Sequence, residues 1–244
     1  MIPWLEPNAP FPPCSSALRQ PNGLLAAGGD LSPERLIAAY SNGIFPWFNA
    51  DEPILWWSPS PRMVLFPGEL KLSRSLKKTI RNRVYEVRLD HAFSRVMQAC
   101  AQPRKGQGGT WITPLMIAAY TRLHHRGIAH SAETWIDGEL VGGLYGVALG
   151  RMFYGESMFS TQTDASKIAF VHLLWQLKRW SFGLIDCQMQ TAHLASLGAR
   201  EIPRADFLRR VSKLIQYSPA TLPWRFDANL KDELETDAQR FPRT

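Results

Sequence analysis

Two carboxylates occur where an apolar strand offers them no company. Asp186 sits in LIDCQMQ (184–190) between Ile185 and Cys187, and Glu156 sits in FYGESMFS (153–160) among Phe153, Tyr154, Met158 and Phe159. A carboxylate drawn out of water into such surroundings is costly unless a partner meets it. Strand alternation predicts that Asp186 and Gln188, two residues apart, face the same side. A structural hydrogen bond to nearby backbone would explain either acid alone. Two such acids on consecutive sheet elements favour a site.

Familiar catalytic patterns are otherwise missing: the chain has no G-x-x-x-x-G-K-[ST], no H-E-x-x-H and no G-x-S-x-G. Gly142, Gly143 and Gly146 lack the spacing of a dinucleotide loop and mark close backbone approach instead. The six histidines have no metal spacing, and the three cysteines (Cys14, Cys100, Cys187) form no C-x-x-C pair. No metal site and no disulfide framework are expected.

A second pattern is electrostatic. Lys+Arg total 28 against 21 Asp+Glu, a net charge of +7, which favours polyanionic partners. In residues 71–83, KLSRSLKKTIRNR, no acid occurs; Lys71, Arg74, Lys78 and Arg81 recur at helical spacing, as do Leu72, Leu76 and Ile80. On a helix these form one basic and one apolar stripe. The basic stripe is either a solvated face or a set of phosphate contacts.

The elements that would hold these residues follow from turn and cap signals. Residues 1–62 are rich in Pro, Gly and Trp and read as a small N-terminal domain. Its one clear helix has Ser32 as N-cap, Pro33 in the first position and Asn42-Gly43 as the stop. After it, Pro46, Pro53, Pro59 and Pro61 forbid regular structure. From Met63 the texture changes to strands (MVLF, VYEVRL) and helices, one capped by Asp90 and running to Cys100, one opened by Thr113-Pro114 and stopping at Gly127. AHSAETWID, a turn at Asp137-Gly138, ELVGGLYGVAL, a turn at Gly150 and RMFYGESMF make an antiparallel meander. A long helix capped by Asp164 and ended by Gly183 follows, then the strand LIDCQMQ, a short helix from Thr191 and a last helix from Pro203 through Ile215. The layout is α+β and compatible with a GNAT-type N-acyltransferase architecture over residues 63–225; residues 226–244 read as a polar, disordered tail. No apolar run approaches the ~20 residues of a membrane span, and the first residues lack a secretory signal. A cytoplasmic protein is expected.

PNGLLAAGGDLSPERLIAAYSNGIFPWF (21–48), ILWWSPSPR (54–62), GTWIT (109–113), HSAETW (130–135), GESMFS (155–160) and LIDCQMQTAHLASLGAREIPR (184–204) together resemble the leucyl/phenylalanyl-tRNA–protein transferase family. The family often has a basic residue where this chain has Thr161. The resemblance implies a small N-terminal domain joined to a GNAT-like domain. It also implies transfer of leucine or phenylalanine, less readily methionine, from aminoacyl-tRNA to proteins beginning with arginine or lysine, marking them for degradation. Because the ester is already activated, no cofactor or metal is implied, and nothing demands more than a monomer. In this family the proton-accepting role falls on Asp186 acting with Gln188, with Glu156 positioning the amine or reading the acceptor's positive charge. The apolar aminoacyl pocket would draw on Leu144, Phe153, Met158 and Ile185 from strands and Phe170, Leu173 and Leu177 from the long helix. All seven also suit plain core packing. Trp47 and Trp111 would stack the 3′-adenosine, Trp56 and Trp57 would be structural, and Lys71, Arg74, Lys78 and Arg81 would meet tRNA phosphates. An acyl-CoA-dependent acetyltransferase and a non-catalytic RNA-binding module are the rival readings. FSTQTD, before the long helix, has no glycine for a pyrophosphate loop.

Overall fold

The computed structural model describes residues 2–103, 110–220 and 223–230. The N-terminal part holds strands β1 (Trp4–Leu5) and β2 (Leu24–Gly28), helix α1 (Pro33–Ser41), and strands β3 (Phe45–Pro46) and β4 (Leu55–Trp57). As expected, the Ser32 hydroxyl accepts from Arg35 N, and Gly43 closes the helix end with φ +69°. The strands form a sheet in the order β1-β2-β4-β3. The proline-rich stretch therefore does build regular structure, because Pro46 sits on the edge strand, where its missing N–H is harmless. Trp56 is fully buried, its indole N–H donating to Gly28 O at 2.9 Å.

Next come β5 (Arg62–Leu65), α2 (Arg74–Asn82), β6 (Glu86–Leu89), α3 (Phe93–Cys100), α4 (Pro114–His125), β7 (Ala129–Ile136), β8 (Glu139–Leu149) and β9 (Met152–Ser160). The chain continues through α5 (Ala165–Arg179), β10 (Leu184–Gln188), α6 (Ala192–Ser196), β11 (Arg200–Ile202) and α7 (Arg204–Leu214). Arg62, expected in the N-terminal domain, begins a strand of the larger sheet. That sheet runs β11-β5-β10-β9-β8-β7-β6, antiparallel except for the β9–β10 pair. A parallel pair needs a crossover, which α5 supplies. The Asp137-Gly138 turn takes positive φ at both residues, as a tight hairpin requires.

Alternation along the strands fills two cores. Tyr145, Val147, Met152, Tyr154 and Leu184 face α1, α3, α4 and α7. Leu144, Phe153, Ile185, Met63 and Leu65 face α5 and α2.

Several caps differ from expectation. Asp90 has φ +56°, and its carboxylate accepts from Ser131 N at 2.8 Å and meets His130 Nδ1 at 2.7 Å. The N–H of Ala92, the actual cap of α3, goes to buried Glu133 at 2.7 Å. Asp164 makes no cap bond; it pairs with Lys167 at 2.8 Å. The helix it precedes ends at Arg179, four residues before Gly183, and Ser181 takes the left-handed conformation. Lys71 lies ahead of α2, not on it. The start of the expected tail is packed: Asp227 N donates to Gln176, Asp227 pairs with Arg179 at 3.0 Å, and Leu230 is buried. Residues 231–244 of that tail lie outside the described residues.

Candidate active site

The site forms where β9 and β10 stop pairing. Their register holds from Leu184↔Met152 to Asp186↔Tyr154. Beyond it each strand is irregular. Gly146 pairs with Gly155 and Tyr145 with Ser157, so Glu156 is the extra residue of a bulge on β9. Val64 pairs with Asp186 and Met63 with Gln188, so Cys187 is the extra residue on β10. Bulges re-aim side chains beside active sites. The simple same-face pairing expected of Asp186 and Gln188 is replaced by a more specific arrangement. Gln188 adopts φ +61°, its N–H donates to Asp186 Oδ1 at 2.8 Å, and its amide Nε2 donates to Glu156 Oε1 at 2.9 Å.

Asp186 is 0% exposed and engaged on both oxygens by Arg62, Nε to Oδ1 at 2.8 Å and Nη2 to Oδ2 at 2.6 Å. The guanidinium itself lies between the rings of Phe45 and Phe207, 4.7 Å from each centroid. Such a bidentate pair is short, directional and charge-assisted.

Glu156 is set differently. It is half-buried, its Oε2 accepts from the Tyr120 hydroxyl at 3.0 Å, and its Oε1 accepts from Gln188. Tyr120's single proton is thus committed, so the buried Tyr40 hydroxyl donates to the Tyr120 oxygen. The Tyr154 hydroxyl in turn donates to Tyr40 O at 2.9 Å. Burial pushes the Glu156 carboxyl up to about 7, with Asp186 adding to the rise and the tyrosine bonds and Arg62 opposing it. Burial also holds Tyr40, Tyr120 and Tyr145 far above the ordinary phenol value, so they stay protonated. The result is one carboxylate that can exchange a proton near neutrality, oriented from both sides.

The seven apolar candidates lie on the α5 face. Leu144, Phe153, Phe170, Leu173, Leu177 and Ile185 are buried there, and half-buried Met158 packs against them. Trp224 joins them, 6.2 Å from Phe153 between ring centroids and stacked on His130 at 3.5 Å. The tryptophan candidates lie on the opposite face: Trp47 is 37% exposed with its ring edge on Trp57, and half-buried Trp111 packs beside α4. Arg74, Lys78 and Arg81 are exposed on α2, which packs on α5, and Lys71 is exposed just before it. The basic face and the tryptophans are therefore on different sides of the sheet. At the start of α5, Ala165 N is taken by Gln162 O and Ser166 N by Ser160 Oγ, so neither donor awaits a pyrophosphate.

Residues 64–212 match the family model described as leucyl/phenylalanyl-tRNA protein transferase, and residues 29–60 match its N-terminal domain. The chain belongs to this transferase family. The leucyl/phenylalanyl-tRNA–protein transferase of Nitrosospira multiformis is 66% identical over 227 residues, 93% of this chain and 98% of that one. That of Chromobacterium violaceum is 63% identical over 93% of this chain and 97% of its own length. That of Stutzerimonas stutzeri is 57% identical over 92% and 100%. Among solved structures, L-PGS from Bacillus licheniformis aligns at TM-score 0.38 and 12% identity over 88% of this chain and 72% of that one, a likeness that carries no argument.

Three side chains that the sequence reading did not single out pack around the two acids: Arg62, Tyr40 and Tyr120. The signal for Arg62 was a charged residue entering the apolar strand RMVL, in mirror image to the acid in LIDCQ. Tyr40 and Tyr120 gave no signal, since a tyrosine on an amphipathic helix reads as core. Among the described residues, no helix is long and apolar enough to cross a membrane and no acid, His or Cys cluster could hold a metal.

Proposed function

We propose that this chain moves leucine or phenylalanine, and less readily methionine, from aminoacyl-tRNA to the α-amino group of proteins beginning with arginine or lysine. It would do so in the cytoplasm, as a monomer, and mark its products for degradation. Residues 63–225 would form a GNAT-like catalytic domain, with residues 1–62 as a smaller partner, a reading supported by the meander–helix–strand order.

In this mechanism the acceptor's amine attacks the aminoacyl carbonyl, the new amide C–N bond forms, and the C–O bond to the tRNA ribose breaks. The amine's surplus proton passes to Glu156 and from there to the departing ribose oxygen. An α-amine titrates at about 7.7–8.0, so the base need not be strong. The observation that carries the reading is Glu156 itself, raised to about 7 and held between Tyr120 and Gln188. Asp186, fully enclosed by Arg62, presents no free oxygen to an amine and acts as an anchor. Trp47 and Trp111 would stack the terminal adenosine, and the α5-facing apolar wall would select the side chain. The exposed Arg74, Lys78 and Arg81, with Lys71 beside them, would meet tRNA phosphates.

Transfer of labelled leucine from charged tRNA to an arginine-starting peptide tests the proposal. Labelled peptide that forms with leucyl-tRNA, and not with an acyl-CoA thioester, is the expected result. Acylation only from the thioester would overturn it.

A further inference from the structure

We infer that Arg62 is a positioning residue for transfer: it clamps Asp186 so that Gln188 is held in its left-handed conformation with its amide on Glu156. The inference rests on the proposed role of Glu156.

The chain of contacts is short and every link is buried or half-buried. Arg62 grips both Asp186 oxygens at 2.8 and 2.6 Å. Asp186 Oδ1 then accepts the Gln188 N–H at 2.8 Å. That bond fixes a residue whose φ of +61° is one that side chains rarely adopt without support. From there the Gln188 amide reaches Glu156 at 2.9 Å. The fold alone gives little reason for the guanidinium: Arg62 Nη1 is buried without a hydrogen-bond partner, and a buried ion pair is weak evidence of stabilisation. Phe45 of β3 and Phe207 of α7 hold the guanidinium between them, so four elements, β3, β5, β10 and α7, meet at this clamp.

The clamp's two halves carry opposite charge and should therefore displace Glu156 in opposite directions. Around Glu156 lie Tyr40 on α1, Tyr120 on α4, Tyr145 on β8, Asp186 on β10 and Arg62 on β5. The tyrosines remain neutral, so Asp186 and Arg62 are the charges that bear on it.

The test is a pH–rate profile, with arginine-starting peptide and leucyl-tRNA, for Arg62→Gln, Asp186→Asn and Arg62→Gln/Asp186→Asn. Each variant is expected to lose about tenfold or more in kcat, in keeping with the sensitivity of transfer to small misplacements, while KM for leucyl-tRNA changes by less than about twofold. Of the two ionisations on the acidic side, that of Glu156 should move up in Arg62→Gln and down in Asp186→Asn, and return near its original place in the neutral double variant, while the amine's stays put. The double variant removes both buried charges and keeps the test open if a single variant does not fold. Arg62→Lys, which keeps the charge and loses the fork, should lower kcat with little movement of the Glu156 ionisation. Wild-type kcat in Arg62→Lys and in the double variant would overturn the inference. Loss of an entire ionisation in Asp186→Asn would instead overturn the assignment of Glu156, since it would make Asp186 the base.

Discussion

Without its carboxylate, residue 186 would leave Arg62 enclosed by Phe45 and Phe207 with no counter-charge. Breaking one side of a buried pair costs about 3–5 kcal/mol. Asp186→Ala should therefore lower the unfolding free energy by about that much in urea titration, and lose activity partly for that reason; a loss under about 1 kcal/mol would show that the pair is not structurally important. That an acid in an apolar strand must have a partner was legible in the sequence. Its identity was not, because Arg62 lies 124 residues away. Neither was the geometry at Gln188, since the bulge at Cys187 breaks the alternation from which its direction was read. Glu156 was conspicuous for the same reason as Asp186, but its tyrosines come from α1 and α4 and are invisible to local reasoning.

At the scale of elements, what is set within a few residues was readable. Ser32, Thr113 and Thr191 cap α1, α4 and α6 as their positions predict. Asp90 fails as a cap because tertiary partners, Ser131 and His130, claim its carboxylate, and Asp164 fails because Lys167, three residues on in the helix it precedes, takes it. The apolar wall separates into core and margin. Leu144 is buried, so its truncation would mainly destabilise, whereas Met158 lies half-buried on the stretch of β9 that has parted from β10. Met158→Ala should change the leucine-to-phenylalanine ratio of kcat/KM by about tenfold, the scale of a few methylenes in an apolar pocket. An unchanged ratio would remove Met158 from the pocket. On α2, Lys78 and Arg81 are exposed on a helix whose Leu76 and Ile80 face the core. Replacing both by glutamine should weaken tRNA binding and reduce the slope of log affinity against log salt by about one unit per contact. A short aminoacyl-adenosine substrate should respond no differently from wild type; unchanged tRNA affinity and slope would make the stripe a solvated face.

Across the whole molecule, the change of texture near residue 62 and the α+β composition were plain in the sequence. Strand order was not. β5 inserts between β11 and β10, which follow it by more than a hundred residues, and this insertion is what brings Arg62 to Asp186. Trp224 and Leu230 also escaped notice, because a polar stretch conceals two buried apolar residues. The larger organisation places α5 and the apolar wall on one face of the sheet and the tyrosine-bound Glu156 on the other.

The most direct test of Glu156 as proton acceptor is the single-turnover transfer rate from leucyl-tRNA to an arginine-starting peptide as a function of pH, in wild type and Glu156→Gln. Two ionisations should govern the acidic side of the wild-type profile, the amine at about 7.7–8.0 and Glu156 at about 7. Raising the pH ionises Glu156 and so increases the fraction able to accept a proton. Glu156→Gln should be slower by roughly 10²-fold or more and retain only the amine's ionisation. A Glu156→Gln protein that folds, transfers leucine at the wild-type rate and keeps both ionisations would contradict the account.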